Sequence, residues 1–160
     1  MLFNKKNDKI LLSDEAAIEY FSDTVYRVAL NMVKNEADAQ DMFQEVFLRF
    51  IKYKKGFDSM DHAKAWFIRV TINCCNSFFK KQKRQTEIEA MTDIPEEEKV
   101  DYGITEHVQA LEEKYRIVIH LYYYEGYKIK EIAEILQENE NTIKTRLARA
   151  KKILKEKWDE

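Results

Sequence analysis

Apolar residues recur at helical spacing in two runs near the end of the chain. The first run is Ile129, Ile132, Ala133 and Leu136, and the second is Ile143, Leu147, Ala150 and Leu154. Each run predicts one face of an amphipathic helix, and five polar residues, 137–141, separate the two. Two short helices joined by a tight polar turn are typical of a helix-turn-helix, whose second helix enters the DNA major groove. Ala133 is small enough to let the two helices approach where they cross.

Three longer helices are expected earlier in the chain. Ser13 is a suitable N-cap for a helix to about Val33, and Asn35 for a second. The second helix carries a wide apolar stripe of Ala39, Met42, Phe43, Val46, Phe47, Phe50 and Ile51. Residues 54–61 are expected to form a loop, after which Asp61 is the expected N-cap of a third helix to about Arg84.

A polar, acidic segment with the single proline follows and is typical of a linker. The helical pattern returns at Thr105, and Gly126 is expected to close the helix that contains Ile117, Val118, Leu121 and Tyr124. We therefore predict an all-α fold of two small helical domains, residues 13–85 and 105–158. A flexible acidic linker, residues 86–104, joins them.

Composition supports a helical protein of one ordinary or two small domains. The 160 residues are 45% hydrophobic but include only three glycines, which favours helix over a strand-rich fold. No apolar run reaches the roughly 20 residues of a membrane span, and the N-terminus lacks the apolar core of a signal peptide. The adjacent Cys74 and Cys75 cannot form a disulfide that links distant segments of the chain. We therefore expect a reduced, cytoplasmic protein.

Charge is unevenly distributed along the chain, although the net charge is only −2. Residues 62–86 hold six basic residues and no acid, residues 87–113 hold ten acids and one lysine, and residues 141–157 hold seven basic residues and one acid. Because phosphate attraction is local and is screened beyond roughly 8 Å, the two basic blocks indicate two surfaces for nucleic acid. Ordinary solvated helix faces are the alternative.

Two further helical faces are candidates for binding. The outer face of the second helix carries Asp38, Asp41, Gln44, Glu45 and Leu48, which suits a protein contact better than DNA. The third helix is apolar apart from a narrow seam of Arg69, Asn73, Asn76 and Lys80. Cations and amides beside aromatic rings suit single-stranded nucleic acid, although Phe67, Val70, Cys74 and Phe78 are expected to be core. For the second helix, a solvated face remains the alternative.

Enzymatic activity is not expected. Glycines at positions 56, 103 and 126 exclude a glycine-rich phosphate loop, and the cysteines and histidines lack metal-ligand spacing. We expect no catalytic residue, cofactor, metal or small-molecule substrate.

The segments 38–48 (DAQDMFQEVFL) and 66–73 (WFIRVTIN), followed by the terminal helix-turn-helix, resemble bacterial RNA polymerase sigma factors of the sigma-70 family. The resemblance is to the small extracytoplasmic-function group, and it covers about residues 13–157. It implies a promoter-specificity subunit whose first domain binds core polymerase and opens the −10 element. The second domain would read the −35 element.

Carried over by position, the resemblance implies three sets of site residues. Core polymerase would be contacted by Asp38, Asp41, Gln44, Glu45 and Leu48. The melted −10 strand would be held by Phe57, Asp58, Met60, Arg69, Asn73, Asn76 and Lys80, with the loop 57–61 receiving a flipped base. Duplex −35 DNA would be met by Lys128, Asn141, Lys144, Thr145, Arg146, Arg149 and Lys152. The resemblance further implies an anti-sigma partner, often membrane-bound in the family.

The chain departs from the family pattern in its helix-turn-helix turn. The family usually has Gly-Ile-Pro-Glu-Gly there, whereas this chain has residues 137–141, QENEN. Without the glycine, a non-glycine residue is expected in the left-handed conformation, and Asn141 is the expected N-cap of the recognition helix. Ser77 replaces the family's usual acid, and Lys80 and Lys81 replace arginines.

Two other functions remain open at this level. One is a stand-alone helix-turn-helix regulator whose N-terminal module senses a signal or dimerises. The other is a helical interaction protein without a DNA role, against which the two basic blocks argue.

Overall fold

The computed structural model describes residues 3–6, 8–88 and 106–158. The chain divides into two compact units, Met1–Lys99 and Val100–Glu160. Both are built mainly of helices, so the expectation of an all-α fold is confirmed. Of the predicted linker, residues 86–88 belong to a helix and residues 89–104 lie outside the described part of the chain.

Three helices form the N-terminal unit: α1 (Asp14–Val33), α2 (Glu36–Lys52) and α3 (Met60–Ile88). Ser13 Oγ accepts a hydrogen bond from the Ala16 N–H at 3.1 Å, and Asn35 Oδ1 accepts one from the Asp38 N–H at 2.8 Å. Both predicted N-caps are therefore confirmed. The helices enclose a core of buried apolar residues that includes Phe21, Val25, Val46, Phe47, Phe50 and Phe67.

The bounds of α3 and the exposure of Ile51 differ from the sequence-based prediction. Ser59, rather than Asp61, caps α3, since its Oγ accepts from the His62 N–H at 3.0 Å. The third helix thus begins earlier than expected and also continues to Ile88. Ile51, assigned to the buried stripe, is 48% exposed because it lies at the edge where the stripe meets the outer face of α2.

A β-hairpin precedes α1 and was not expected. Strands β1 (Phe3–Lys6) and β2 (Lys9–Leu12) pair antiparallel, with Lys6 opposite Lys9 and Phe3 opposite Leu12. Asp8, in the connecting turn, has a positive φ of 62°. Ile10 also forms an isolated antiparallel bridge with Phe57, which anchors β2 on the loop between α2 and α3.

The C-terminal unit contains α4 (Glu106–Gln109), α5 (Glu113–Ile119), a π-helical segment His120–Tyr124, α6 (Ile129–Leu136) and α7 (Glu140–Trp158). The helical pattern that returns at Thr105 is divided between the separate helices α4 and α5. There the buried Arg116 donates from Nη1 to the Leu111 carbonyl at 2.7 Å. Gly126, with φ 76°, ends the π-helical segment as expected. Helix α6 packs against α7, and Ile132, Ala133, Ile143, Leu147 and Ala150 of these two helices are buried.

No helix in the described ranges is both long and apolar enough to cross a bilayer. The same residues contain no cluster of three or more potential metal-ligating side chains.

Candidate polymerase and nucleic-acid interfaces

The outer face of α2 is exposed along three helical turns. Asp41, Gln44 and Glu45 are all exposed, and Leu48 is 54% exposed. Ile51 extends the row by another turn, so that two large apolar side chains adjoin the acids. Glu45 pairs with Arg49 one turn later, at 3.4 Å. Exposed apolar side chains beside carboxylates suit a protein partner, because the apolar groups gain from being covered.

Asp38 differs from the other acids on this helix because it takes part in the cap. Asn35 Nδ2 donates to its carboxylate at 2.8 Å, while the Asp38 N–H donates back to Asn35 Oδ1. Partial burial, together with the nearby charge of Asp41, raises the pKa of Asp38 above its usual value. The carboxylate is thus engaged within the helix N-terminus and is less available to a partner than Asp41 or Glu45.

The polar seam of α3 lies on the solvent side of the helix. Arg69, Asn73, Asn76 and Lys80 are each exposed, whereas Thr71, Ile72, Cys74 and Cys75 between them are buried. Four hydrogen-bonding side chains therefore form one line about 16 Å long, at 1.5 Å per helical residue. Burial raises the pKa of the Cys74 thiol, which keeps it protonated and a poor nucleophile at neutral pH.

The structure corrects the assignment of Phe57 to DNA contact. Its side chain is 1% exposed and packs against Tyr53 and Trp66, with ring centroids 5.2 and 5.6 Å away. Phe57 is a core residue that fixes the loop, and its covered ring is not available to a base. Asp58 is exposed next to it, and Met60 is half-buried. The hydrogen bond from Lys9 is the main reason that the pKa of the Asp58 carboxyl lies below its usual value.

The helix-turn-helix is capped differently from the prediction. Gln137 takes the left-handed conformation, with φ 55° and ψ 44°, as the absence of glycine predicts. The Glu138 N–H then donates to the Ala133 carbonyl at 3.0 Å, which closes the end of α6. Asn139, rather than Asn141, caps α7, since its Oδ1 accepts from the Thr142 N–H at 2.7 Å. Asn141 therefore lies in the first turn of the recognition helix, where its side chain is exposed.

A groove of about 390 Å³ lies along the start of α7. Four predicted −35 residues line it: Asn141, Thr145, Arg146 and Arg149. Lys114, Tyr115, Asn139 and Thr142 complete the lining and were missed from the sequence. Lys114 and Tyr115 belong to α5, which is distant in the sequence, so helical periodicity within α7 could not reveal them. Lys128, Lys144 and Lys152 are exposed but are not lining residues of this groove.

The basic block of α7 does not face one direction. Lys151 Nζ lies 5.6 and 5.5 Å from the ring centroids of Tyr122 and Tyr123, and a hydrogen bond to Tyr123 raises the pKa of Lys151. Arg146, which is half-buried, lies 3.4 Å from Glu138. Fewer cations are therefore exposed near the groove than the seven basic residues of the segment 141–157 would suggest.

Comparison with protein families assigns both units. The model "Sigma-70 region 2" matches residues 17–85, and "Sigma-70, region 4" matches residues 104–154. Together these matches span most of the chain. The chain belongs to the sigma-70 family. Its region 2 comprises most of α1, together with α2 and most of α3, and its region 4 comprises α4–α6 and most of α7.

Curated relatives agree with this assignment. The sigma factor is 33% identical over 135 residues to the RNA polymerase sigma factor SigV of Bacillus subtilis, with 81% of each chain covered. It is 27% identical to the ECF sigma factor SigW and 29% identical to SigM, both of the same organism, over 94% and 89% of its length and 90% and 92% of theirs. These similarities identify a promoter-specific transcription initiation factor of the extracytoplasmic-function group.

A solved structure shares the fold. The sigma factor RpoE of Bartonella quintana, crystallised in complex with the anti-sigma factor NepR, matches with a TM-score of 0.70 at 19% identity. The match covers 89% of this chain and 94% of that one.

Proposed function

We propose that this sigma factor uses three separate surfaces during initiation: the outer face of α2 for core polymerase, the seam of α3 with the loop 57–61 for the −10 element, and the groove face of α7 for the −35 element. The observation that supports the division is chemical. Acids and exposed apolar residues lie together on α2, whereas cations and amides lie on α3 and α7. The α2 surface therefore differs in chemistry from the α3 and α7 surfaces, which both suit nucleic acid.

The α2 surface suits polymerase rather than DNA. Asp41 and Glu45 would repel phosphates, while Leu48 and Ile51 offer apolar area that is exposed in the free protein. A partner that covers the two apolar side chains and carries complementary charge would gain both burial and electrostatic attraction.

The α3 seam suits an unpaired strand. Arg69 and Lys80 would attract the backbone, and Asn73 and Asn76 can donate to and accept from exposed base edges. Since a base in a duplex hides these edges, the seam would act only after the −10 element has opened. Asp58 and Met60 of the adjoining loop would contact the extruded base, and the buried Phe57 would keep the loop in place.

The groove of α7 suits duplex DNA. Arg149 and Thr145 are exposed one turn apart, and Asn141 lies one turn earlier. This row would face base edges in the major groove, with Lys144 and Lys152 nearer the phosphates. Lys114 on α5 adds a cation from outside the motif, at the rim where a DNA backbone would pass. Lys128, before α6, would be a further backbone contact.

The remaining assignments rest on the family. We propose a non-catalytic, cytoplasmic protein without a cofactor, which an anti-sigma partner holds inactive. RpoE of Bartonella quintana, which shares the fold, forms a complex with the anti-sigma factor NepR, and this supports an anti-sigma partner here. The acidic segment that follows α3 would connect the two sigma regions.

Binding to core polymerase tests the proposal. The protein should be retained by immobilised core polymerase and should direct run-off transcription from its own promoter, while binding the same promoter only weakly by itself. A stand-alone regulator would behave in the opposite way, binding duplex DNA tightly as a dimer and leaving core polymerase unaffected. A catalytically intact core with an unrelated sigma factor provides the control for promoter specificity.

A further inference from the structure

Strand β2 forms backbone hydrogen bonds along both of its edges. Ile10 donates its N–H to the Phe57 carbonyl at 2.6 Å and accepts from the Phe57 N–H at 2.8 Å. Because alternate residues of an antiparallel strand direct their backbone groups to opposite edges, Lys9 and Leu11 face β1 while Ile10 faces the loop. The hairpin is thus joined by backbone hydrogen bonds to the loop that follows α2.

Close packing accompanies these hydrogen bonds. A Cβ atom at Gly56 would lie 2.9 Å from the Ile10 carbonyl oxygen and 2.9 Å from Leu11 Cδ2. Gly56 also has a φ of +74°, so glycine meets two requirements at this position: the left-handed conformation and the close approach of β2. Ile10 itself is buried, at 9% exposed.

The loop is held from its other side as well. The Tyr53 hydroxyl donates to the Gly56 carbonyl at 3.1 Å, and the Asp58 N–H donates to His62 Nδ1 at 2.9 Å. Lys9 pairs with the Asp58 carboxylate. Asp58 is thereby fixed through its backbone by α3 and through its side chain by β2.

The hairpin lies outside the region that the family model matches, which begins at residue 17. The position of β2 is therefore a feature of this chain that the family assignment does not explain. We propose that the hairpin positions the loop for the −10 element, with Ile10 and Lys9 as positioning residues; this rests on the proposed function of the loop.

The physical reason is preorganisation. A loop that must be ordered when it binds loses conformational entropy at that moment, and a loop already held in place does not. The two hydrogen bonds to Ile10 remove this cost in advance. Lys9 has a second effect, since it offsets the negative charge of Asp58 at a surface that phosphates approach.

A pair of proline substitutions in the same hairpin tests the proposal. Ile10→Pro removes the N–H that bonds to Phe57. Lys5→Pro, opposite Ile10, removes an N–H that faces away from β2, an edge position where proline is tolerated. With the full chain bound to core polymerase, Ile10→Pro should lower the rate of opening of a duplex promoter by roughly tenfold, as expected for the loss of one or two intramolecular hydrogen bonds. Lys5→Pro should open it at the parent rate.

Two readouts separate positioning from a general loss of stability. In Ile10→Pro, amide exchange should accelerate at Phe57 and Asp58 while the core helices and polymerase affinity remain as in the parent. The preference for a single base of the −10 element should also relax, which a uniformly weakened fold would not produce. Should Ile10→Pro fail to fold, Lys9→Gln supplies the same test from the surface: slower opening, restored by Lys9→Arg.

Variants in the loop 57–61 distinguish failure of the positioning proposal from failure of the proposed function of the loop. If Asp58→Ala and Met60→Ala both leave opening and base preference unchanged, the loop does not contact the −10 element and the proposed function of the loop is wrong. If they change opening but Ile10→Pro and Lys9→Gln do not, the loop acts without the hairpin and the positioning proposal is overturned.

Discussion

Arg149 and Lys151 lie two residues apart on α7 but have different surroundings. Arg149 lines the groove, whereas Lys151 lies beside Tyr122 and Tyr123. Two residues correspond to about 200° of rotation on an α-helix, so the two cations point to nearly opposite sides. This arrangement offers a matched pair in which the same charge is removed from the proposed DNA face and from the face behind it.

We expect Arg149→Ala to weaken binding of the polymerase complex to −35 DNA by roughly 1–3 kcal/mol if the guanidinium reaches a base, and less if it contacts only phosphate. Loss of a base contact should relax the preference at one −35 position, whereas loss of a phosphate contact should weaken all sequences alike. Filter binding or fluorescence anisotropy across a salt series distinguishes the two.

Lys151→Ala serves as the control and should leave both affinity and salt dependence near the parent values. Equal losses in the two variants would show that net charge, rather than the groove face, determines binding, and the assignment of α7 would then fail.

Cap residues show how far the sequence predicts single positions. Ser13 and Asn35 are predicted correctly, since each accepts the capping hydrogen bond of its helix. Before α3 and α7 several candidates adjoin, and the prediction is wrong at both: Ser59 and Asn139 cap instead of Asp61 and Asn141. Which candidate acts depends on backbone dihedrals that tertiary packing determines, so composition alone cannot separate them.

At the scale of a single element, the proposed contact with core polymerase lies on the outer face of α2. Asp41 and Glu45 are exposed and lie one turn apart, beside Leu48. We expect the double reversal Asp41→Lys and Glu45→Lys to weaken core polymerase binding mainly through a slower association rate with an altered salt dependence, as for charges at an interface rim. Surface plasmon resonance with immobilised core polymerase measures both.

The matched control reverses acids on a different helix. Asp14 and Glu15 are exposed in the first turn of α1. Reversing their charges should leave the association rate with core polymerase unchanged. It should cost only a little helix stability, because acids favour a helix N-terminus. Unchanged kinetics for the α2 reversal over the whole salt series would remove α2 from the polymerase interface and return it to an ordinary solvated face.

Helices and hairpin differ in how well the sequence predicts them. The amphipathic periods of α1, α2, α6 and α7 are local, and the sequence predicts their positions within a few residues. Strand β2 is only four residues long and is stabilised by a partner, Phe57, that lies far along the chain. Short strands that depend on such contacts leave no periodic signal, and the burial of Phe57, which pairs with β2, is therefore not predicted either.

At the scale of the whole molecule, the proposed DNA-binding surfaces are divided between two compact units. The two surfaces are expected to act at different stages of initiation. The α7 groove would act on duplex DNA and the α3 seam only on separated strands. The proposed division therefore makes a prediction about order: damage to the seam should appear after the promoter has been bound.

We expect Asn73→Ala to leave closed-complex binding nearly unchanged and to reduce strand opening, because its amide can reach base edges only when the −10 element is unpaired. A template with a pre-melted −10 bubble should recover much of the lost transcription, since the unstacking cost of a few kcal/mol has already been met. Permanganate footprinting on duplex and bubble templates measures opening, and Ser77→Ala, also exposed on α3 but outside the seam, is the matched control. An equal loss on both templates would mean that Asn73 serves folding or general strand binding, and no loss on either would leave the seam a solvated face.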